Sequence, residues 1–196
     1  MKYVKMLGLL AVAAAALMAF AGTASATYLT SPAGTTYTGT IHAKSEGTTT
    51  LHGEAFAVSC AASTVSGSVE FHSTGTGTAG GKITTLDFSE CTFPVTVIAN
   101  GSLEVHTKTA SADGNGTLTS NGAKITIHGP FGINCLYETN NTDIGTLTGS
   151  KNTGKTATLD IDSSLIPRTG DSAFCGAAGE WTGSYEVTTP DYLDVD

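Results

Sequence analysis

Ser102-Leu103-Glu104-Val105-His106 alternates polar and apolar residues with a period of two. Successive side chains on an extended chain point to opposite faces, so the pattern predicts a strand with one buried and one wet face. The same alternation recurs in Ser68-Val69-Glu70-Phe71-His72 and in Lys124-Ile125-Thr126-Ile127-His128. Further strands are predicted over 35–43, 48–58, 83–88, 93–98, 155–161 and 182–188. Between them stand Gly80-Gly81, Asn100-Gly101, Asp113-Gly114, Asn115-Gly116 and Asn121-Gly122, dipeptides that take the positive φ angles of tight turns. Helical spacing is absent after residue 26. The reading is an all-β fold, an antiparallel sandwich or barrel of about ten short strands.

Composition supports this class and excludes others. Of 196 residues, 34 are Thr and 24 are Gly, while charged residues make up 13% and aromatics 7%. Thr is β-branched and stiff at χ1, and it tolerates an exposed sheet face, so it can cover sheet surface where large apolar residues are few. The formal net charge is −8. No Lys/Arg cluster occurs, so nucleic acid is not an expected partner.

The first 26 residues read as an address. Lys2 and Lys5 precede an uncharged run from Leu7 to Ala21, followed by Ala24-Ser25-Ala26. A basic start, a short apolar core and a small-x-small site describe a Sec-type signal peptide cleaved after Ala26. The run is too short for a comfortable membrane span, and no second one approaches 18 residues. The expected mature chain is then 27–196, secreted or at the cell surface, with no integral membrane segment.

Within that chain two stretches resemble each other. Leu51-His52-Gly53 precedes Cys60, and Ile127-His128-Gly129 precedes Cys135. Thr85-Leu86-Asp87 and Thr158-Leu159-Asp160 follow, then Cys91 and Cys175, then Gly101-Ser102-Leu103-Glu104-Val105 and Gly183-Ser184-Tyr185-Glu186-Val187. Five landmarks in one order predict an internal duplication, with unit one over 51–105 and unit two over 127–187. A linker hairpin over 106–126 would join them. Unit two carries an insertion, expected as a loop around 163–173.

In an exported protein the four cysteines should be oxidised. If the repeat holds, each unit closes its own loop, Cys60 with Cys91 and Cys135 with Cys175. The rival pairing, Cys60 with Cys135 and Cys91 with Cys175, would staple the units together. The spacings suit neither a zinc ribbon nor a thioredoxin-type site.

No catalytic residue is assigned. Gly170-Asp171-Ser172 resembles the nucleophile stretch of chymotrypsin-like serine proteases, but Ala173-Phe174 stands where that family has Gly-Gly, and its Thr-Ala-x-His-Cys segment does not occur. No G-x-S-x-G elbow exists. His42, His52, His72, His106 and His128 form no pair at metal-ligand spacing, so neither a metal nor a cofactor is expected. Asp87 and Asp160 hold equivalent landmark positions and could act as paired carboxylates across a cleft. Alternation instead turns both outward, beside inward Leu86, Phe88, Leu159 and Ile161. Trp181, Tyr185 and Tyr137 are the candidate ligand-binding aromatics, since an exposed platform of such rings stacks on sugars. The acidic tail Asp191-Tyr192-Leu193-Asp194-Val195-Asp196 reads as a solvated terminus.

The leading expectation is a secreted, non-enzymatic β protein, a binding or cell-envelope module for an unidentified extracellular ligand or glycan. The alternatives are a secreted polysaccharide hydrolase using paired carboxylates, and a surface protein that forms homo-oligomers through edge strands.

Overall fold

The computed structural model describes residues 27–32, 34–54, 56–73, 77–107, 114–167 and 173–196. Segments 1–26 and 168–172 lie outside these, and with them the expected signal peptide and Gly170-Asp171-Ser172.

Eight antiparallel strand positions close into a barrel. The first is shared by β2 (Thr40–Ser45) and β3 (Thr49–His52), one strand interrupted at 46–48. Both pair with β4 (Ala57–Ser73) on one side and with β13 (Gly179–Thr189) on the other. Between β4 and β13 the wall runs through β5 (Thr78–Cys91), β7 (Ser102–Thr107), β8 (Asn115–Asn121), β11 (Thr142–Thr148) and β12 (Thr158–Pro167). The strands thus follow one another around the wall in chain order, and the last closes on the first.

Alternation decides which face turns inward. On β8, Gly116, Leu118 and Ser120 are buried while Thr117 and Thr119 lie outside. On β12, Leu159, Ile161 and Ser163 point in, and Asp160 and Asp162 are exposed. Apolar inside and polar outside is the reverse of a lipid-embedded barrel, whose apolar band faces outward. No described helix is long and apolar enough to cross a membrane.

A second, three-stranded sheet leaves the wall and covers one barrel end. It consists of β6 (Val95–Ala99), β9 (Lys124–His128) and β10 (Asn134–Glu138), and β10 also pairs with the end of β12. Tyr137 and Ile125 from this sheet are buried in the same core as Phe88, Leu165 and Trp181. Both disulfides lie at this end. Cys60–Cys91 joins directly opposed residues of β4 and β5, and Cys135–Cys175 ties β10 to the turn before β13. Loop-closure entropy makes each stabilising by about 3.5–4 kcal/mol.

The other end is plugged by β1 (Leu29–Thr30) paired with β14 (Asp194–Val195). Leu29, Leu193 and Val195 are each at most 2% exposed. The acidic tail is therefore not a solvated terminus: its alternate residues are apolar and fill the barrel mouth. The single helical turn Ser150–Thr153 secures it, with Ser150 N–H donating to Leu193 O at 2.9 Å and Leu193 N–H donating to Ser150 Oγ at 3.0 Å. The buried Asp194 carboxylate accepts from Lys151 N–H at 3.0 Å and from the Tyr192 hydroxyl.

Other expectations shift as well. Among the described residues there are fourteen strands, and β4 and β5 run to 17 and 14 residues. Residues 163–167 of the expected inserted loop continue β12, because Leu165 finds a place in the core and β10 supplies an edge to pair with. Asn100-Gly101 and Asn121-Gly122 do turn the chain, with φ of +73° and +74° at the glycines. Gly80-Gly81 and Asn115-Gly116 instead lie within β5 and β8. Within the stretch 106–126, β8 pairs with β7 and β11 in the wall. Strands from both expected units build the one barrel.

The plug carries a pH signature. The hydrogen bond to Asp194, with burial second, pushes the Tyr192 hydroxyl up to about 12 from 10.0. The folded state favours the protonated phenol, so this contribution is fully present below pH 10 and is lost as pH rises towards 12. Urea denaturation between pH 9 and 12 should show a steeper alkaline loss of stability in the wild type than in Tyr192→Phe.

Candidate functional site

The barrel interior holds a cavity of about 60 Å³. Its walls include Leu29 of the plug, Ile41 and Ala43 of β2, Val65 of β4, and Leu103 and Val105 of β7. Val65, Ile83, Leu103 and Leu159 also line a second cavity of about 20 Å³ further along the axis. Leu86, Ala123 and Trp181 carry the series into a third of about 20 Å³, beneath the three-stranded sheet. Eight-stranded barrels are just wide enough to be filled by side chains or to hold one small ligand, and this one is incompletely filled.

Small residues produce the gap. Ala43, Gly67, Gly80 and Gly81 all border the 60 Å³ cavity. The glycines sit where β4 and β5 slip register, between Ser66 and Gly67 and between Val69 and Phe71. A Cβ on Gly81 would stand 1.8 Å from the Ser68 carbonyl oxygen, so the backbones approach too closely for any side chain. The wall is drawn in there, yet no side chain from these positions fills the lumen.

The lumen is uncharged. Two ionisable residues border the cavities, and both have their charges paired: Lys82 with Glu70 at 3.6 Å and Glu138 with Lys124 at 3.0 Å. Beside the lumen is a small polar patch. Tyr185 donates from its hydroxyl to Ser63 Oγ at 3.0 Å, and Ser63 Oγ donates to Asp87 O at 2.8 Å. Burial pushes the Tyr185 phenol up, while Ser63, Thr49 and Trp181 beside it pull in the opposite direction. Thr49 Oγ1 and Trp181 Nε1 are buried beside the same phenol oxygen.

The three candidate aromatics thus belong to the core. Trp181 is 7% exposed, and Tyr185 and Tyr137 are each 1%. Trp181 stacks edge-on between Phe88 and Tyr185, at 5.7 and 6.2 Å between ring centroids. Tyr137 donates its hydroxyl to Cys175 O at 2.7 Å. These rings offer no outward platform for a sugar. Trp181 and Tyr185 face the lumen instead, because strand alternation turns their positions inward.

Asp87 and Asp160 are exposed on the outer wall, as alternation predicts. β5 and β12 stand four positions apart in either direction around an eight-strand wall, so the two carboxylates point away from each other on opposite sides. They share no cleft. Asp160 accepts from Ser184 Oγ at 2.7 Å.

The histidines are dispersed. His42 bonds Ser66 at 2.7 Å, and His128 bonds Asn134 at 2.6 Å and Thr96 at 3.0 Å. His72 Nε2 donates to Tyr37 O at 2.9 Å, which leaves Nδ1 to accept from Leu29 N–H at 3.4 Å. His106 lies 3.7 Å from Glu104. His52 borders an open rim cleft of about 460 Å³ with Glu54 and Glu180. Among the described residues no group of three His, Cys, Asp or Glu could hold a metal. The glycines after His52 and His128 have packing roles: a Cβ on Gly53 would meet the Tyr137 hydroxyl at 2.7 Å, and one on Gly129 the Phe56 ring at 2.6 Å.

Family models, curated proteins and solved structures provide no match to this chain. The site is therefore read from its geometry alone.

Sequence reading placed the lumen residues on inward strand faces, but not the space between them. The signal was present in Gly67, Gly80 and Gly81, three glycines within strands rather than between them. Gly81→Ala forces the β4–β5 backbones apart, and should lower stability by more than about 3 kcal/mol in urea titration, or abolish folding.

Proposed function

We propose that this is an exported, non-enzymatic binding protein whose barrel lumen takes a small, uncharged and largely apolar ligand. The observation that carries the reading is the axial series of apolar cavities in a closed barrel. A charged ligand would meet no counter-charge there and would lose its hydration, which costs far more than burial of its apolar atoms returns. Export is supported by the leader pattern of residues 1–26 and by two disulfides, which persist in oxidising compartments. Cleavage after Ala26 would leave Thr27 at the mature N-terminus, where its side chain lies buried against Thr107 with 3.1 Å between hydroxyls.

The reading is tested with methylenecyclopentane as an apolar probe, titrated while methyl resonances are followed by NMR. Shifts should be confined to Leu29, Ile41, Val65, Leu103 and Val105, with saturation in the millimolar range. Ala43→Leu fills the 60 Å³ cavity and should weaken binding by about tenfold or more. Unchanged methyl resonances in the folded wild type would remove the lumen as a binding site.

A second reading, self-association through an edge strand, has one observation in its favour. β6 ends the sheet order, and its sequence Val95-Thr96-Val97-Ile98-Ala99 is uncharged, with Ile98 59% exposed. Such an edge is a template for pairing. On this reading Thr96→Lys with Ile98→Lys would abolish a concentration-dependent rise in mass seen by light scattering, whereas a wild type that stays monomeric at 1 mM would end it.

A further inference from the structure

We infer that β1 is an acid-released latch: its grip on the barrel mouth depends on an uncharged His72 ring, and protonation of that ring frees the plug. The inference goes beyond the lumen reading, and its test needs no ligand. His72 lies near the end of β4, opposite the buried Ala79 of β5, and so faces the mouth that Leu29 closes. Its ring is held between two main-chain groups. Nε2–H donates to Tyr37 O at 2.9 Å, and Nδ1 accepts from Leu29 N–H at 3.4 Å. The Tyr28 ring packs on it with 5.7 Å between centroids.

The strand pairing leaves the Leu29 amide no other acceptor. Beside it, Tyr28 and Asp196 exchange both main-chain hydrogen bonds, at 2.7 and 2.9 Å, so the next residue turns its own N–H and C=O away from β14. The Leu29 carbonyl accepts from Tyr37 N–H at 2.7 Å, and the Leu29 N–H meets the imidazole. Leu29 is 2% exposed, so bulk water does not replace an acceptor lost there. Protonation puts a hydrogen on Nδ1 and turns the acceptor into a second donor. Two N–H groups then face each other, and a buried amide is left unsatisfied. The closed plug needs the bare Nδ1 and the open one does not, so protons favour opening. The latch is fully engaged above the range where an imidazole ordinarily ionises, about pH 6.5, and weakens as pH falls through it.

The titratable groups on the surrounding elements are engaged elsewhere. Tyr37 donates its hydroxyl to Thr40 O, and Glu70 of β4 pairs with Lys82 of β5. On β14 and beyond, Asp194 accepts from the Tyr192 hydroxyl and Lys151 N–H, and Asp196 accepts from Thr30 Oγ1 at 2.8 Å. Among the described residues no carboxylate forms an ion pair with His72. Carboxylates ordinarily titrate near pH 4, about two units below the imidazole range, so their release of the plug is separable from that of His72.

The test is amide hydrogen exchange followed by ¹H–¹⁵N NMR at pH 8 and pH 5, with each rate divided by that of an unstructured chain at the same pH. Protection of the Leu29 and Asp196 amides should fall about tenfold between the two, while the β7 amides of the wall keep theirs. His72→Gln should abolish the difference, because its amide NH₂ can donate to Tyr37 O and its carbonyl oxygen can accept from Leu29 N–H at either pH. The ¹⁵N shifts of the wild-type His72 ring report which nitrogen carries the proton, and they serve if that variant does not fold. Equal Leu29 protection at both pH values, a pH effect that persists in His72→Gln, or a proton on Nδ1 at pH 8 overturns the latch.

Discussion

Everything in the molecule depends on one seam, where the first strand position of the wall meets the last. β2 and β3 together present two edges, and β4 and β13 take one each, so the wall has no free strand at the seam. Without the β13 pairing, the same strands would make an open sheet whose apolar face had nothing to cover it. The outside of the seam is fastened by Lys44 and Glu186 at 3.4 Å, and the Thr156 hydroxyl, with Lys44, holds the Glu186 carboxyl below its ordinary range. Such an exposed pair adds little by itself. The larger contribution is geometric: closure turns Ala43, Tyr185 and Val187 into a shared interior.

Closure also explains why the lumen is both apolar and incompletely filled. The wall circumference is set by strand number and stagger, not by the volume of the side chains inside. A chain rich in Thr, Gly and Ala has few large residues to spend on that interior, and the aromatic ones, Phe88, Trp181, Tyr185 and Tyr137, gather towards the disulfide end. The plug end receives Leu29, Leu193 and Val195, which close the mouth. Between the two caps the interior thins, and the 60 Å³ cavity lies there, bounded by Leu29 of the plug.

How much of this was legible in the sequence follows from the range of each interaction. β9 spans Lys124–His128, the residues whose alternation predicts it, and β7 spans Ser102–Thr107, because period two is a local property of an extended chain with one wet face. Asp87 and Asp160 are outward for the same reason. Gly80-Gly81 reads locally as a turn, yet the pair lies within β5 because the nearby Ser68 carbonyl demands a residue without a Cβ. The tail misleads in a related way. Three aspartates in six residues suggest solvation, but the alternating Leu193 and Val195 are inward once β1 offers an edge to pair with. The candidate site was the least legible part, since Trp181 reads as an isolated ring until β3, β4 and β13 bring Thr49, Ser63 and Tyr185 beside it.

The seam also has a consequence in time. The wall is assembled in chain order from neighbouring strands, but its last joint unites residues 40–52 with residues 179–189, at nearly opposite ends of the described residues. A contact of that sequence separation carries a large loop-closure cost and comes late in folding. The barrel therefore cannot shut on a partly synthesised chain, and an elongating polypeptide remains an open, threadable sheet until its final strand is released. The order of the strands thus acts as a timer for closure of the wall.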